Sequence, residues 1–208
     1  MSSENIIPPR LILILGGARS GKSAFAERLA AGSGKPVAFI ATATSGDDEM
    51  RERIARHRAS RPHEWHTIEE PLDLAGALQQ AYKLANVAIL DCMTLWLSNM
   101  LLQQPGEKGR EDQGNAEGPI TNSLFDEQCM QRIEALLAAT QNAQAGKTLI
   151  VVSNEVGLGI VPAYPLGRIY RDTLGYVNQR LARAADRVYL MVAGLAVDIK
   201  RLHQEAML

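Results

Sequence analysis

Leu11-Ile12-Leu13-Ile14-Leu15, followed without a break by Gly16-Gly17-Ala18-Arg19-Ser20-Gly21-Lys22-Ser23, decides how the rest of the chain is read. Five consecutive apolar residues ended by two glycines fit a strand buried on both faces of a parallel sheet, since a strand with one wet face would alternate. The eight residues that follow satisfy Gly-x-x-x-x-Gly-Lys-Ser/Thr. They stand where that pattern has physical meaning, between a strand and a helical pattern that begins at Lys22. Glycines there let successive backbone N–H groups point inward around a phosphate, and the helix N-terminus adds its positive end. Lys22 can reach the β- and γ-phosphates, and Ser23 is placed to ligate magnesium. Arg19 is explained as well by solvation as by phosphate.

Working outward, four further apolar runs recur at Val37 to Ala41, Val87 to Leu90, Leu149 to Val152 and Val188 to Val192. Helical patterns fill the gaps. Asp47 to Arg58 is preceded by Ser45 with Asp48 three residues on, the pattern of a capping box, and the pairs Glu49/Arg53 and Glu52/Arg56 support it. Ser123 with Asp126 opens a second such helix, which carries Ile133, Leu136 and Leu137 and can stop at Gly146. Leu166, Tyr170, Thr173, Val177 and Leu181 mark the buried face of a late helix. Strands alternating with helices predict an α/β chain, a three-layer P-loop NTPase fold with a mostly parallel central sheet flanked by helices. One domain over 1–208 is expected, with tails at 1–9 and 201–208. Gln104 to Pro119 is rich in Gly, Pro, Gln and charge without apolar periodicity, and reads as a mobile surface insert.

Composition narrows the function. With 22 Lys and Arg against 23 Asp and Glu, the net charge of -1 leaves no basic excess to hold a nucleic-acid backbone, so a nucleic-acid partner is not expected. No apolar run reaches the roughly 18 to 20 residues of a membrane span, and Met1 to Arg10 lacks the features of a signal peptide. A cytoplasmic protein is expected. Cys92 and Cys129 lie far apart and form no metal-binding spacing, so both read as small buried apolar residues.

A P-loop site also wants an acid at the end of a neighbouring strand to hold magnesium, and Asp91 follows Val87-Ala88-Ile89-Leu90 directly. The competing use of Asp91 is to cap a helix starting near Thr94. The guanine-reading Asn-Lys-x-Asp of GTPases is not matched by Ser153-Asn154-Glu155-Val156. A nucleoside triphosphatase, a kinase and a nucleotidyltransferase remain open at this point. The other oddity is His57, set among arginines in Arg51 to Pro62. By helical spacing it shares a face with Met50 and Ile54, as a half-buried histidine would. Alternatively, Arg56, Arg58 and Arg61 gather phosphates while His57 attacks one of them, cationic neighbours keeping its imidazole neutral and nucleophilic.

The combination of segments resembles one family. Gly16 to Ser23, Ile40-Ala41-Thr42-Ala43, Asp47 through His57 to Pro62, Trp65, Asp91-Cys92, Asn154 to Pro162, and Arg171-Asp172 through Val177 to Ala182 are, in order, similar to the bifunctional adenosylcobinamide kinase and adenosylcobinamide-phosphate guanylyltransferase of cobalamin biosynthesis. The resemblance implies phosphorylation of the adenosylcobinamide hydroxyl by ATP or GTP, then transfer of GMP from GTP to that phosphate through a guanylyl-histidine. It places the nucleophile at His57, with Lys22 assisting. Nucleotide contacts fall on Gly16, Gly17, Ala18, Arg19, Ser20, Gly21, Lys22 and Ser23, on Ala41, Thr42 and Ala43, on Arg58, Ala59, Ser60 and Arg61, and on Glu69 and Asp91. Magnesium falls to Ser23 and Asp91. It further implies a corrinoid substrate and a homo-oligomer, commonly a trimer. A P-loop kinase without a covalent step, and a nucleotide-dependent regulatory protein, are the alternatives. Asn154, Glu155 and Asn178 are explained equally by turn and helix roles. His63, His66 and His203 read as ordinary polar residues.

Overall fold

The computed structural model describes residues 9–44, 52, 58, 61–103 and 122–207. Its strands are β1 (Leu11–Gly16), β2 (Val37–Ala41), β3 (His66–Glu69), β4 (Val87–Asp91), β5 (Thr148–Val152), β6 (Arg187–Val192) and β7 (Leu195–Asp198). They form one sheet in the order β3-β2-β4-β5-β1-β6-β7. All pairs are parallel except β6 with β7. The helices are α1 (Lys22–Gly32), α2 (Leu74–Leu84), α3 (Met93–Leu102), α4 (Asn122–Gln141), α5 (Pro165–Ala184) and α6 (Ile199–Ala206).

The continuous apolar runs have the cause expected of them. β1 and β5 are buried along their whole length. Successive side chains point to opposite faces, so each strand feeds two cores. Leu11, Leu13, Ile40, Leu90 and Val151 face one side with α2, α3, α4 and α5. Ile12, Ile14, Phe39, Ile89 and Val152 face the other with Ala26 and Ala30 of α1. On the first side the Trp96 indole is fully buried and donates to the Leu72 carbonyl at 3.1 Å, satisfying its one polar atom.

Two strands were not legible as runs. β3 buries only Ile68, and β7 has no buried residue, because both lie at sheet edges and need not be apolar. β7 returns beside β6 through Ala193 and Gly194, both at positive φ (50° and 83°), the conformation of a two-residue hairpin turn that follows strand twist.

Helix ends also differ from expectation. α4 already includes Ser123, so Ser123 is no cap, and Asp126 instead accepts from the Thr173 hydroxyl at 2.6 Å. The helix ends at Gln141, ahead of Gly146, which sits at φ 87° in the following turn. On α5 the fully buried positions are Thr173, Leu174, Val177, Asn178 and Leu181, with Leu166 and Tyr170 half-buried. Much of the expected C-terminal tail is helix. Asp198 caps α6 by accepting from Arg201 N at 3.1 Å, and the Lys200 ammonium donates to the carbonyls of Ala182, Arg183 and Ala185 at the end of α5. The 104–119 insert lies outside the described residues, as does the capping box at Ser45 and Asp48. Within that second helical pattern, Glu52 and Arg58 are helical. Among the described residues, no helix is long and apolar enough to cross a membrane.

Candidate nucleotide site

The loop after β1 is shaped by its glycines and braced from two sides. Gly16 leaves the strand at φ 151°, and a Cβ there would meet the Met191 carbonyl oxygen at 2.6 Å and Ser20 Oγ at 2.7 Å. Gly21 takes φ 94° at the start of α1, and Arg19 adopts the left-handed region at 56°. The N–H of Glu155 donates to the Gly16 carbonyl and that of Gly194 to the Ser20 carbonyl, both at 3.0 Å, so the β5 exit and the β6–β7 turn hold the loop in place. Lys22, itself buried, reaches back across the loop to donate to the Gly17 carbonyl at 2.6 Å. Burial pulls its ammonium below the usual 10.5, with Cys92 and Asp91 drawing it partly back up. The Ser20 hydroxyl is buried in the loop without a hydrogen-bond partner.

A Gly16→Ala variant tests this packing. Of the two colliding atoms, the Met191 carbonyl oxygen is backbone and cannot rotate away, so the cost is about 2–4 kcal/mol of strain and overpacking. That lowers Tm by on the order of 10 °C for a chain of this size, read by circular dichroism. An unchanged Tm would mean that the loop can relax around a methyl group.

Register carries the remaining candidates to the same edge. Ala41 pairs with Glu69 on one side and with Asp91 on the other, Asp91 with Val152, and Val152 with Ile14 two residues before the loop. Asp91 is therefore at the P-loop's edge, although not on the adjacent strand, since β5 stands between β4 and β1. It is not the cap of α3 either. The N-cap is Cys92, which makes no side-chain cap bond.

Ser23, Ala41, Ala43, Arg58, Arg61, Glu69 and Asp91 line one cavity of about 320 Å³. Gly17, Ala18 and Arg19 lie exposed outside its wall, which the P-loop enters through Ser23. Arg58 sits 3.4 Å from Glu69, both largely exposed, a weak pair free to re-form around an anion. The Arg61 guanidinium lies 3.3 Å above the centroid of the Phe39 ring, and its Nε is buried without a hydrogen-bond partner. Burial lowers its pKa, partly offset by Asp91. Thr42 differs from its neighbours. Its hydroxyl donates to the Cys92 carbonyl and accepts from the Cys92 N–H, its own N–H donates to Asp91, and its carbonyl accepts from Asn99. Thr42 therefore ties β2 to β4 beneath the cavity. His57, Ala59 and Ser60 lie outside the described residues.

Several wall residues carried no sequence signal. Phe39, Thr67 and Leu95 are ordinary apolar or hydroxyl residues until the fold gathers them around Ser23. Cys92 corrects an expectation: it is only partly buried, lines the cavity and lies 2.9 Å from the Thr94 hydroxyl. Burial, and then Asp91, push its thiol up, so it is a poor nucleophile. Asn154 also lines the cavity. Asn178 acts from behind it, accepting from Ser153 at 2.7 Å and donating to the Asn154 carbonyl at 3.0 Å. The three described histidines are all exposed: His66 is on β3, His63 precedes it and His203 is on α6, and none lines the cavity.

A family profile described as cobinamide kinase / cobinamide phosphate guanyltransferase matches residues 12–199. The bifunctional adenosylcobalamin biosynthesis protein CobP of Pseudomonas aeruginosa is 45% identical over 188 residues, covering 90% of this chain and 96% of the relative. The corresponding CobU proteins of Escherichia coli and Salmonella typhimurium are 40% and 41% identical, each covering 91% of this chain and 99% of the relative.

Proposed function

Because the chain belongs to the cobinamide kinase / cobinamide phosphate guanyltransferase family, and is thus a bifunctional transferase of adenosylcobalamin biosynthesis, we propose that the cavity beside the P-loop carries both of its reactions in turn. The observation that supports this most is the gathering of Ser23, Arg61, Glu69 and Asp91, from four separate segments, around one cavity at the carboxyl edge of the sheet.

In the first reaction the adenosylcobinamide hydroxyl oxygen attacks the γ-phosphorus of ATP or GTP. The bond to the β-phosphate oxygen breaks, the nucleoside diphosphate leaves, and the hydroxyl proton is lost. In the second, an imidazole nitrogen of His57 attacks the α-phosphorus of GTP and pyrophosphate leaves. A phosphate oxygen of cobinamide phosphate then attacks that phosphorus, the histidine leaves, and adenosylcobinamide-GDP results. Two in-line displacements replace one between two anions. Lys22 and the N–H groups of Gly16 to Ser23 hold the β- and γ-phosphates, and Lys22 offsets the charge that grows on the departing diphosphate or pyrophosphate. Arg58, Ala59, Ser60 and Arg61 bind the nucleotide beside His57 in sequence, and Ala41, Ala43 and Glu69 supply further wall to the same cavity.

The donor set fits magnesium. The Ser23 hydroxyl and the Asp91 carboxylate reach one cavity, and this ion takes one or two protein oxygens while keeping waters and substrate phosphate oxygens. When bound, it supplies positive charge against the phosphates. The protein acts in the cytoplasm as one P-loop domain and as a homo-oligomer, commonly a trimer in this family. Leu195 and Val197, exposed on the sheet's terminal strand, and Leu202 on α6 support self-association.

With cobinamide, magnesium and GTP labelled at the γ- or α-phosphorus, the γ label should appear first on cobinamide phosphate and the α label afterwards on cobinamide-GDP. A product carrying only the γ label would reduce the protein to a kinase. Tight GTP binding with no labelled product would make it a nucleotide-dependent regulator.

A further inference from the structure

A second cavity, also about 320 Å³ and more open, lies against the nucleotide cavity. Val156 and Tyr170 line both, so the two spaces adjoin at these side chains. Its other walls are Ser98 and Leu101 of α3, Pro162 and Tyr164 of the 153–164 loop, and the first turns of α5. This wall is built. Gly167 lacks the Cβ that would stand 2.7 Å from the Tyr164 ring and 2.8 Å from Pro162, so both pack down onto α5. Arg168 fixes the same loop by donating to the carbonyls of Pro162 and Ala163 at 3.0 and 2.7 Å.

On the loop so held, Leu158 is 85% exposed and Ile160 96%, with Val161 and Tyr164 also largely in water. Apolar side chains clustered beside a cleft mark a surface that something covers. The polar side chains of this cleft are the hydroxyls of Ser98, Tyr164 and Tyr170 and the guanidinium of Arg171. Tyr170 and Ser98 both donate to the Thr94 carbonyl, at 3.1 Å each, and the two hydroxyls also meet each other, so the pair keeps accepting capacity at its outer edge.

We propose that this cleft and the exposed Leu158-Gly159-Ile160-Val161 segment seat the macrocycle of the acceptor, with its hydroxyl-bearing arm passing between Val156 and Tyr170 to the transferring phosphate. The inference rests on the function proposed above. The occupant follows from chemistry and continuity. The acceptor must reach the nucleotide cavity from an adjoining space, and a corrin is a broad, largely apolar ring edged with amides. Such a ring is too large for the cleft alone, so it would lie across the exposed Leu158 and Ile160, while an amide N–H at its edge donates to the Tyr170–Ser98 hydroxyl pair. A second copy of the chain is the competing occupant.

The test uses a Leu158→Ser/Ile160→Ser variant and, separately, Gly167→Ala, which pushes Tyr164 off the cleft wall. Three quantities are measured: KM for cobinamide in the kinase reaction, Kd for GTP, and mass by sedimentation velocity. Loss of two large apolar contacts should raise KM for cobinamide about tenfold or more. Kd for GTP and the mass should stay at the wild-type values, and Gly167→Ala should move KM the same way. An unmoved KM, a parallel loss of GTP affinity, or a lower mass would each overturn the subsite, the last by making this face a subunit interface. Wild-type protein that fails to phosphorylate cobinamide would instead refute the function beneath it.

Discussion

A His57→Ala protein should form no covalent adduct when incubated with magnesium and α-labelled GTP in the absence of acceptor, whereas the wild type should accumulate one. The bond expected is a phosphoramidate between an imidazole nitrogen and the α-phosphorus of GMP. Acid protonates that nitrogen and makes it a good leaving group, and base does not, so the wild-type label should be lost in acid and kept in base. Guanylyl transfer to cobinamide phosphate should fall by at least about a thousandfold, since a removed nucleophile has no substitute held in the same place. The kinase reaction should persist, because phosphoryl transfer uses the P-loop, Lys22 and the acceptor hydroxyl and forms no bond to the protein. Adduct on the variant, or its absence from both proteins, would sink the histidine mechanism. Arg56 and Arg58 flank His57 in sequence and cannot replace it, as guanidinium groups stay protonated.

Lys22→Met should fail in both reactions, with kcat down by about a hundred to a thousandfold, the range for losing one preorganised charge partner of a phosphoryl or acyl transition state. Its effect on stability should run the other way. Burial disfavours the charged form of Lys22 in the folded protein, so its folded pKa lies below the usual 10.5. Below the folded value both states are protonated and the penalty for burying the ammonium is fully present. Between the folded value and 10.5 the unfolded chain binds the proton more tightly, so stability rises with pH across that window. Methionine removes the penalty and this slope. The carbonyl that Lys22 leaves behind is that of exposed Gly17, which water can satisfy. Thermal unfolding at pH 7 should therefore give a Tm no lower than wild type alongside a nearly inactive enzyme. A substantially lower Tm would mean that the Lys22 to Gly17 hydrogen bond outweighs the cost of desolvation.

The same contrast between chemistry and packing separates what could be read from the chain from what could not. The phosphate loop, the five apolar strands and the position of Asp91 were legible, because each depends on neighbours in sequence. Buried parallel strands must be continuously apolar, a phosphate nest needs its glycines at fixed offsets, and an acid at a strand's end is visible once the strand is. The edge strands β3 and β7 were not, since an edge position does not demand burial. Ser123 matched the pattern of a cap, yet α4 runs through it and Thr173 takes the Asp126 carboxylate.

By itself, then, the sequence determined the fold class, the phosphate loop and, through the resemblance carried by its ordered segments, the family. Only the tertiary structure decided which side chains share a wall. It put Arg61 over Phe39, turned Thr42 inward to brace Cys92, brought Cys92 and Asn154 to the cavity, and set Val156 and Tyr170 between two adjoining spaces. The physical reason is range. A motif records what one stretch of backbone must do, whereas a wall is assembled from strand register and helix packing between residues far apart in the chain, and no local pattern encodes those.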